Sequence, residues 1–334
     1  MRYFVLSIFF AVILIISSGI YFFFNLKNYS DKPLDYNKTE KTIHILQGQG
    51  LGAVSQSLTD AGIITDPFKF KLIARFKGLD KQIKAGEYLL DSSMPPLEIL
   101  KIINKGKVVL YRLTIPEGYS MEQIAELVET SGFGDQKAFM QLAADPVFVS
   151  AKGFEGKTLE GYLFPDTYYF SKNTSLESII TAMTSYFKSV FTSKWEERAD
   201  ELGMSIHQIV TLASIIEKET GAAHERPVIS SVFHNRLKKN MRLQSDPTVI
   251  YNIKDFDGNL TKKNLQKITP YNTYKIKGLP PGPIANPGKK SLEAALWPAD
   301  TKYLYFVSKG DKTHEFSTNL KDHNKAVRKY QLSR

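Results

Sequence analysis

The sequence predicts an α+β protein with one membrane-spanning helix at its amino terminus. Short strand patterns and amphipathic helix patterns occur in blocks, without the regular βαβ alternation of a parallel sheet. A strand–turn–helix pattern also occurs twice, which indicates an internal duplication. The chain has 334 residues, of which 43% are hydrophobic, so it can form about two domains with substantial cores.

The composition excludes several kinds of chemistry. The chain has no cysteine, so disulfides, thiol nucleophiles and thiolate metal sites are excluded. Its six histidines form no H-E-x-x-H zinc motif, and it contains no G-x-S-x-G motif. We therefore expect no metal and no cofactor. The net charge of +10 suits a polyanion such as nucleic acid, anionic lipid or an acidic cell-wall polymer, without choosing among them.

Residues 3–24 form an uncharged, apolar run. At 1.5 Å per residue this run is long enough to cross a hydrocarbon core of about 30 Å. The alternative is a cleaved signal peptide, but its apolar region would be only roughly 7–15 residues long and no A-x-A-like cleavage site is evident. We expect a retained anchor at residues 1–26, followed by a polar tether at residues 27–41.

The first ordered segment after the tether is expected at residues 42–108. A short strand leads through Gly48 into a helix, and the second copy of this pattern places Gly118 at the equivalent turn. Gly48, Gly50 and Ala53 also satisfy the G-x-G-x-x-A pattern of dinucleotide sites. The helix is too short for such a site and a second helix follows it, so a tight strand-to-helix turn is the favoured interpretation.

A candidate catalytic carboxyl group lies in a largely apolar helix that Ser205 is expected to cap. Glu217 and Glu219 stand about 200° apart around this helix, so only one can face a given site and the other is a bystander. The face of Glu217 is small and apolar, and burial there would raise its pKa, as a general acid requires. The alternative is a buried glutamate paired with Arg226 or Arg236.

Polar and aromatic side chains suited to N-acetylated sugars are concentrated after this helix. Asparagine amides can donate to acetamido carbonyl groups, and tyrosine rings can stack on pyranose rings. A turn at Asp246 and a proline-rich loop at residues 269–288 carry many of them; the alternative for the loop is a structural polyproline-type segment. The aromatic stretch at residues 159–170 is either a sugar-stacking platform or a core turn, and the core is the commoner outcome.

Six motifs, in this order, resemble the endolytic murein transglycosylases, the YceG-like (MltG) family. They are LASIIEKET, SVFHNRL, MRLQSDPTVIY, YNTYKIKGLPPGPIANPG, YLYFV and STNLKDHN. The resemblance also includes LEGYLFPDTY and covers essentially the whole chain. It implies a single-pass protein of the inner membrane, with a small LysM-like subdomain at residues 42–108 and a YceG-like catalytic domain at residues 109–334 on the periplasmic side.

The resemblance implies lytic cleavage of peptidoglycan. The family glutamate, matching Glu217, protonates the glycosidic oxygen between N-acetylmuramic acid and N-acetylglucosamine. It then accepts the proton of the muramyl 6-hydroxyl, which attacks the anomeric carbon and leaves a 1,6-anhydromuramyl end. One carboxyl group suffices because the nucleophile belongs to the substrate, unlike in two-carboxylate glycosidases. Further positions that match family motifs and are expected to line the cleft are Asn235, Arg236, Gln244, Asp246, Tyr251, Tyr271, Asn272, Tyr274, Asn286, Asn319 and His323.

Two alternatives to a lytic enzyme stay open. A non-catalytic, membrane-anchored glycan-binding scaffold would explain the anchor, the basic charge and the aromatic loop. An ordinary muramidase would use water in place of the muramyl hydroxyl. The partners implied by the resemblance are peptidoglycan glycan strands and the glycan polymerases of cell-wall synthesis. Nucleic acid is not expected as a partner, because Lys and Arg are spread along the chain and the domain is placed outside the cytoplasm.

Overall fold

The computed structural model describes residues 2–332 except 252, 254 and 255. The described chain is a mixture of α-helices and short β-strands, as the sequence predicts. It divides into two compact units, one formed by residues 1–111 with 169–173 and the other by residues 112–168 with 174–334. The return of residues 169–173 to the first unit differs from the division expected from the sequence, which placed all residues after 108 together.

The first unit is built on a two-stranded antiparallel sheet with helices packed against it. Its core contains the buried side chains Ile45, Leu58, Phe70, Tyr88 and Leu100. Its elements in chain order are α1 (Arg2–Asp31), β1 (Glu40–Ile45), α2 (Leu51–Asp60), α3 (Pro67–Phe76), β2 (Gly86–Asp91) and α4 (Pro96–Lys105). Because β1 pairs antiparallel with β2, and a second helix follows α2, this segment has no βαβ unit and the dinucleotide interpretation is wrong.

Helix α1 is longer than the apolar run. The segment Tyr3–Asp31 is long and apolar enough to cross a membrane. The helix continues without a break past the apolar run to Asp31. Leu26 is buried in the core of the first unit, and the hydroxyl of Tyr29 donates to the carbonyl of Asp66 at 2.9 Å. The first residues of the expected tether, 27–31, thus belong to the helix, where Tyr29 is held by a hydrogen bond to a residue distant in the sequence.

The second part of the chain is dominated by helices. Its elements are β3 (Tyr111–Thr114), α5 (Met121–Thr130), α6 (Gln136–Ala143), α7 (Pro146–Ala151), β4 (Thr167–Phe170), α8 (Leu176–Val190), α9 (Ser193–Glu201), α10 (Ile206–Glu219), α11 (Arg226–Lys238), α12 (Asp246–Ile250), α13 (Lys262–Gln266), α14 (Lys289–Leu296), β5 (Tyr305–Ser308), β6 (His314–Ser317) and α15 (Leu320–Val327). A short 3₁₀ helix precedes α11, and a π-helical segment follows α15. Strand β3 pairs with β4, and β5 pairs antiparallel with β6.

Helix α10 forms the centre of the second unit's core. Ser205 caps it, and the side chain of Gln208 closes a capping box with the backbone N–H of Ser205, which confirms the predicted start. All the residues from Ile209 to Ile216 are buried. They pack with aromatic residues such as Trp195 and Phe233. The helix ends at Glu219, and its last turn contains the charged residues Glu217, Lys218 and Glu219.

The duplicated strand–turn–helix is confirmed in its backbone geometry. Gly48 and Gly118 begin the two turns with φ of +79° and +74°, and Gly62 and Gly132 end the two helices with φ of +66° and +72°. Glycine is favoured at such positions because other L-residues are strained at positive φ. In the aromatic stretch at residues 159–170, Tyr162 and Phe164 belong to the core, so the core interpretation holds for these two rings.

Candidate active site

Glu217, in the last turn of α10, is a nearly buried carboxyl group with two polar partners. Its side chain is 9% exposed. The backbone N–H of Gly288 donates to its Oε2 at 2.9 Å, and Nη2 of Arg226 lies 3.6 Å from its Oε1. Of the two arginines that the sequence offered as ion-pair partners of Glu217, Arg226 is the one that faces it. The N–H fixes one carboxyl oxygen, and the guanidinium faces the other.

A second carboxyl group, which the sequence analysis missed, lies beside Glu217. The side chain of Glu117 covers Gly288 so closely that any side chain at that position would overlap it. Burial and the negative charge of Glu217 raise the pKa of Glu117, and the charge of Arg226 opposes this rise. Two carboxyl groups and one guanidinium therefore surround Gly288. Comparing the two repeats would have indicated Glu117, because the equivalent residue of the first copy is Gln47.

Backbone hydrogen bonds hold the turn of Glu117 against the loop that contains Gly288. The N–H of Gly118 donates to the carbonyl of Asn286 at 2.9 Å, and the N–H of Asn286 donates to the carbonyl of Tyr119 at 2.8 Å. Lys218 of α10 donates to the carbonyl of Gly118 at 3.3 Å. These bonds join α10, the repeat turn and the proline-rich loop into one support for the two carboxyl groups.

Glu160 is a fully buried carboxyl group behind this support. It accepts the N–H of Met121 at 3.0 Å, the hydroxyl of Tyr251 at 3.1 Å and the side-chain amide of Asn286 at 2.9 Å. Burial raises the pKa of Glu160 to about 7, although each of these donors lowers it. The structure thus brings the predicted residues Tyr251 and Asn286 together, around a carboxyl group that the sequence analysis did not name.

Glu219 is not the bystander that the helix geometry indicated. Its Oε1 accepts the hydroxyl of Ser245 at 2.5 Å. Burial raises the pKa of Glu219 to about 7, the negative charge of Asp246 adds to the rise, and Arg236 lowers it. The hydroxyl of Tyr274 donates to Asp246 at 2.6 Å. Glu219 therefore holds the start of α12 in place, and the predicted residues Asp246 and Tyr274 meet there.

Four of the residues expected to line a cleft are instead interior supports. Asn235 donates to two backbone carbonyls at 2.8 and 3.0 Å. Arg236, buried, donates to the carbonyls of two separate loops at 2.6 and 2.7 Å. Asn272 and Asn286 are fully buried, and their amides are bound within the protein. These hydrogen bonds hold the surrounding loops in place. A match to a family motif does not indicate in which direction the side chain at that position points.

The remaining predicted residues differ in exposure. Gln244, with φ of +51°, and Asp246 are exposed. Tyr271 is half-buried, with its ring centroid 5.0 Å from that of Tyr251. Asn319 caps α15 by accepting a backbone N–H at 3.0 Å. His323 stacks on Tyr305 with centroids 5.1 Å apart, and burial together with the charge of Arg236 lowers its pKa. Asn319 thus has a structural role as the cap of α15.

Two neighbouring cavities open beside the group of charges around Gly288. One, of 590 Å³, is lined by Glu117, and the other, of 420 Å³, is lined by Arg226 and Trp297. Both are also lined by Trp195 and Glu293. Each volume lies within the range of about 300–1,000 Å³ that is typical of ligand pockets. Trp297 is 39% exposed, so an aromatic face is available for stacking on a ring. The sequence analysis missed this tryptophan.

Known proteins resemble this chain over most of its length. The model of the YceG-like family matches residues 43–329. A Bacillus subtilis protein named endolytic murein transglycosylase is 37% identical over 311 residues, which cover 88% of this chain and 86% of that protein. A Streptococcus pneumoniae protein of the same name is 31% identical over 97% of this chain and 64% of that protein. The crystal structure of a YceG-like protein of Listeria monocytogenes, 36% identical, covers 86% of this chain and 99% of that chain with a TM-score of 0.60.

Proposed function

Because the chain belongs to the YceG-like family, we propose that it is a membrane-anchored lytic transglycosylase that acts on peptidoglycan. Its substrate is the bond between N-acetylmuramic acid and N-acetylglucosamine within nascent glycan strands. Two relatives carry the name of this activity. The observation that carries the proposal is the geometry of Glu217, a nearly buried carboxyl group at the end of a buried helix, oriented by a backbone N–H and facing an arginine.

Glu217 serves as the acid and then as the base. In the first step its proton passes to the glycosidic oxygen as the bond from that oxygen to the muramyl anomeric carbon breaks. In the second step the carboxylate accepts the proton of the muramyl 6-hydroxyl, whose oxygen bonds to the anomeric carbon and closes the 1,6-anhydro ring. Glu217 is protonated again at the end of the reaction, and no water is consumed.

The neighbours of Glu217 support both steps. After the first proton transfer, the N–H of Gly288 and the charge of Arg226 stabilise the carboxylate. The carboxyl group of Glu117 lies beside Glu217, and burial together with the charge of Glu217 raises the pKa of Glu117. A carboxyl group oriented by a backbone N–H and faced by a guanidinium can donate and recover one proton in the same site.

The remaining parts of the proposal concern placement. Helix α1 anchors the chain, with the catalytic unit outside the cytoplasm, where peptidoglycan is found. Residues 42–108 serve as a LysM-like glycan-positioning part, and if their deletion left glycan binding unchanged they would be a spacer. Work beside glycan polymerases is proposed from the family resemblance.

The test is mass spectrometry of the products released from purified, uncrosslinked peptidoglycan strands. The native protein is compared with Glu217→Gln, which keeps the shape of the side chain and cannot donate the proton. We expect 1,6-anhydromuramyl ends from the native protein and none from the variant, with the same circular dichroism for both. Reducing ends, one water heavier, would make the protein a muramidase. No fragments from folded native protein would favour the glycan-binding scaffold.

A further inference from the structure

An apolar groove of 660 Å³ lies in the first unit, at the point where α1 leaves its apolar run. One wall is formed by α1 residues that include Gly19, Phe22 and Phe23, and the other by residues at the end of α3, Ile73 and Phe76. The groove thus continues along the same face of the helix from the apolar run into the folded unit.

Helix α3 runs along α1 towards the apolar run. Near the start of α3, the carbonyl of Asp66 accepts the hydroxyl of Tyr29, and Nζ of Lys69 lies 5.7 Å from the centre of the Tyr29 ring. At the other end of α3, Ile73 and Phe76 line the groove, whose α1 wall extends from residue 19 to residue 31. The start of α3 thus meets α1 at Tyr29, and the carboxyl end of α3 lines the groove that extends back into the apolar run.

This end of α3 has the composition of a membrane-surface segment. Phe76 is 72% exposed, and the basic residues Arg75 and Lys77 on either side of it are also exposed. The groove is lined by two basic residues, Lys27 and Lys77, and by one acidic residue, Asp31. An exposed aromatic ring between basic side chains is the arrangement by which interfacial helices bind anionic lipid surfaces.

The depth of the groove agrees with this interpretation. The apolar run ends at Phe24, and the groove extends back to Gly19. At 1.5 Å per residue this is about 7.5 Å along α1. Interfacial helices bury their apolar faces about 5–10 Å into the boundary between headgroups and acyl chains. The groove that Phe76 lines therefore overlaps the depth at which such burial occurs.

We propose that Arg75, Phe76 and Lys77 form a second membrane contact, with the Phe76 ring among the acyl chains of the surrounding bilayer and the two basic side chains on the headgroups of anionic phospholipid. This inference rests on the proposed anchoring of the chain by α1. It assigns the groove to lipid, because the groove is continuous with the anchoring face of α1 and carries lysines at its rim.

Single cysteines give the test, because the natural chain has none. Phe76→Cys, Phe68→Cys and Ile13→Cys are each made in the full chain, labelled with a fluorophore and reconstituted into phosphatidylcholine vesicles with or without phosphatidylglycerol. A lipid carrying a nitroxide near its headgroup and another carrying one deep in an acyl chain serve as quenchers. Phe68 is the matched control, since it is an exposed phenylalanine at the opposite end of the same helix.

We expect several-fold stronger quenching at position 76 than at position 68, increased by phosphatidylglycerol, and deep quenching at position 13. The increase should disappear in Phe76→Cys combined with Arg75→Glu and Lys77→Glu. Equal, weak quenching at positions 76 and 68 with deep quenching at 13 would overturn the proposal and leave the anchor standing. Weak quenching at 13 would instead overturn the anchoring itself. Formation of a disulfide dimer by the unlabelled Phe76→Cys variant would assign the groove to a second copy of the chain, against the proposal.

Discussion

At the scale of single residues, Glu117 and Glu217 face the same glycine with unequal partners. Glu217 receives a backbone N–H and lies nearest Arg226. Glu117 is more exposed, and partial burial of its carboxyl group together with the charge of Glu217 raises its pKa. These two causes favour the protonated form of Glu117.

Glu117→Gln should change the pH dependence of glycan cleavage. The substitution keeps the shape of the side chain and removes a titrating carboxyl group beside Glu217, whose own pKa is raised from 4.5 by burial and by the charge of Glu217. We expect the kcat/KM profile to lose one titration at a pH above 4.5. The measurement is the rate of anhydromuramyl release as a function of pH.

The control for this experiment is Glu122→Gln, which removes an exposed carboxyl group from the first turn of α5. Its pH profile should match that of the native protein. If Glu117→Gln also matched the native profile, Glu117 would have no electrostatic influence on the reaction.

Glu160→Gln should weaken the pH dependence of stability. Burial raises the pKa of Glu160 from 4.5 to about 7, so the folded state binds this proton more tightly than the unfolded chain. The resulting contribution is fully present below pH 4.5 and is lost as the pH rises through about 7. It amounts to on the order of 3 kcal/mol. Urea denaturation across this window should show a smaller fall in the free energy of unfolding for the variant.

Glu126→Gln is the matched control for Glu160, because it removes an exposed carboxyl group and should leave the pH dependence unchanged. An equal fall in stability for Glu160→Gln and the native protein would show that Glu160 does not titrate in this window.

The sequence predicts the candidate acid but little of what surrounds it. Glu217 follows from the helix pattern and the motif that contains it. Glu160 and Glu117 stand in turns, where no periodicity distinguishes a buried side chain from an exposed one. Arg236 matches a family motif, yet its guanidinium binds backbone carbonyls, a role that depends on loops distant in the sequence.

At the scale of elements, the same substitution can be made in each of the two copies of the strand–turn–helix and its effects compared. Gly48→Ala and Gly118→Ala both place a side chain at positive φ, which should cost about 1 kcal/mol of stability in each case. A Cβ at Gly118 would also stand 3.4 Å from Cγ of Glu217, whereas a Cβ at Gly48 would contact nothing within 4 Å.

We therefore expect similar losses in chemical denaturation but reduced glycan cleavage for Gly118→Ala alone. Equal cleavage by the two variants would mean that the position of Glu217 does not depend on this turn.

Elements with a strong local signal agree with the sequence analysis, and those without one do not. The helix cap at Ser205 and the glycine turns of the repeat are set by backbone conformation, which residue type controls directly. The helix extends beyond residue 26 to Asp31, and there Tyr29 is held by a tertiary hydrogen bond. The polar stretch around Tyr29 has no apolar period from which this extension could be predicted.

At the scale of the whole molecule, the last turns of α1 are expected to stabilise the first unit. A chain that begins at residue 32 lacks Leu26 and Tyr29, whereas one that begins at residue 25 keeps both. Loss of a buried leucine typically costs about 2–5 kcal/mol, so the shorter chain should unfold at lower urea concentration. Identical unfolding curves would show that residues 25–31 do not belong to the folded unit.

The general architecture could be predicted from the sequence more fully than the division into units. The α+β class, the apolar helix and the family all follow from local patterns and motifs. The assignment of residues 169–173 to the first unit could not be predicted, because contacts between segments far apart in the sequence do not change the composition of either segment.

Helix α1 passes from its apolar run into the first unit without a break before Asp31. A helix whose apolar length exceeds the hydrocarbon thickness accommodates the difference by tilting. With α1 as the proposed membrane anchor, no break in the helix separates the anchor from the folded unit, so any tilt of the anchor would turn that unit through the same angle. Local bilayer thickness would then set the inclination of the first unit to the membrane surface.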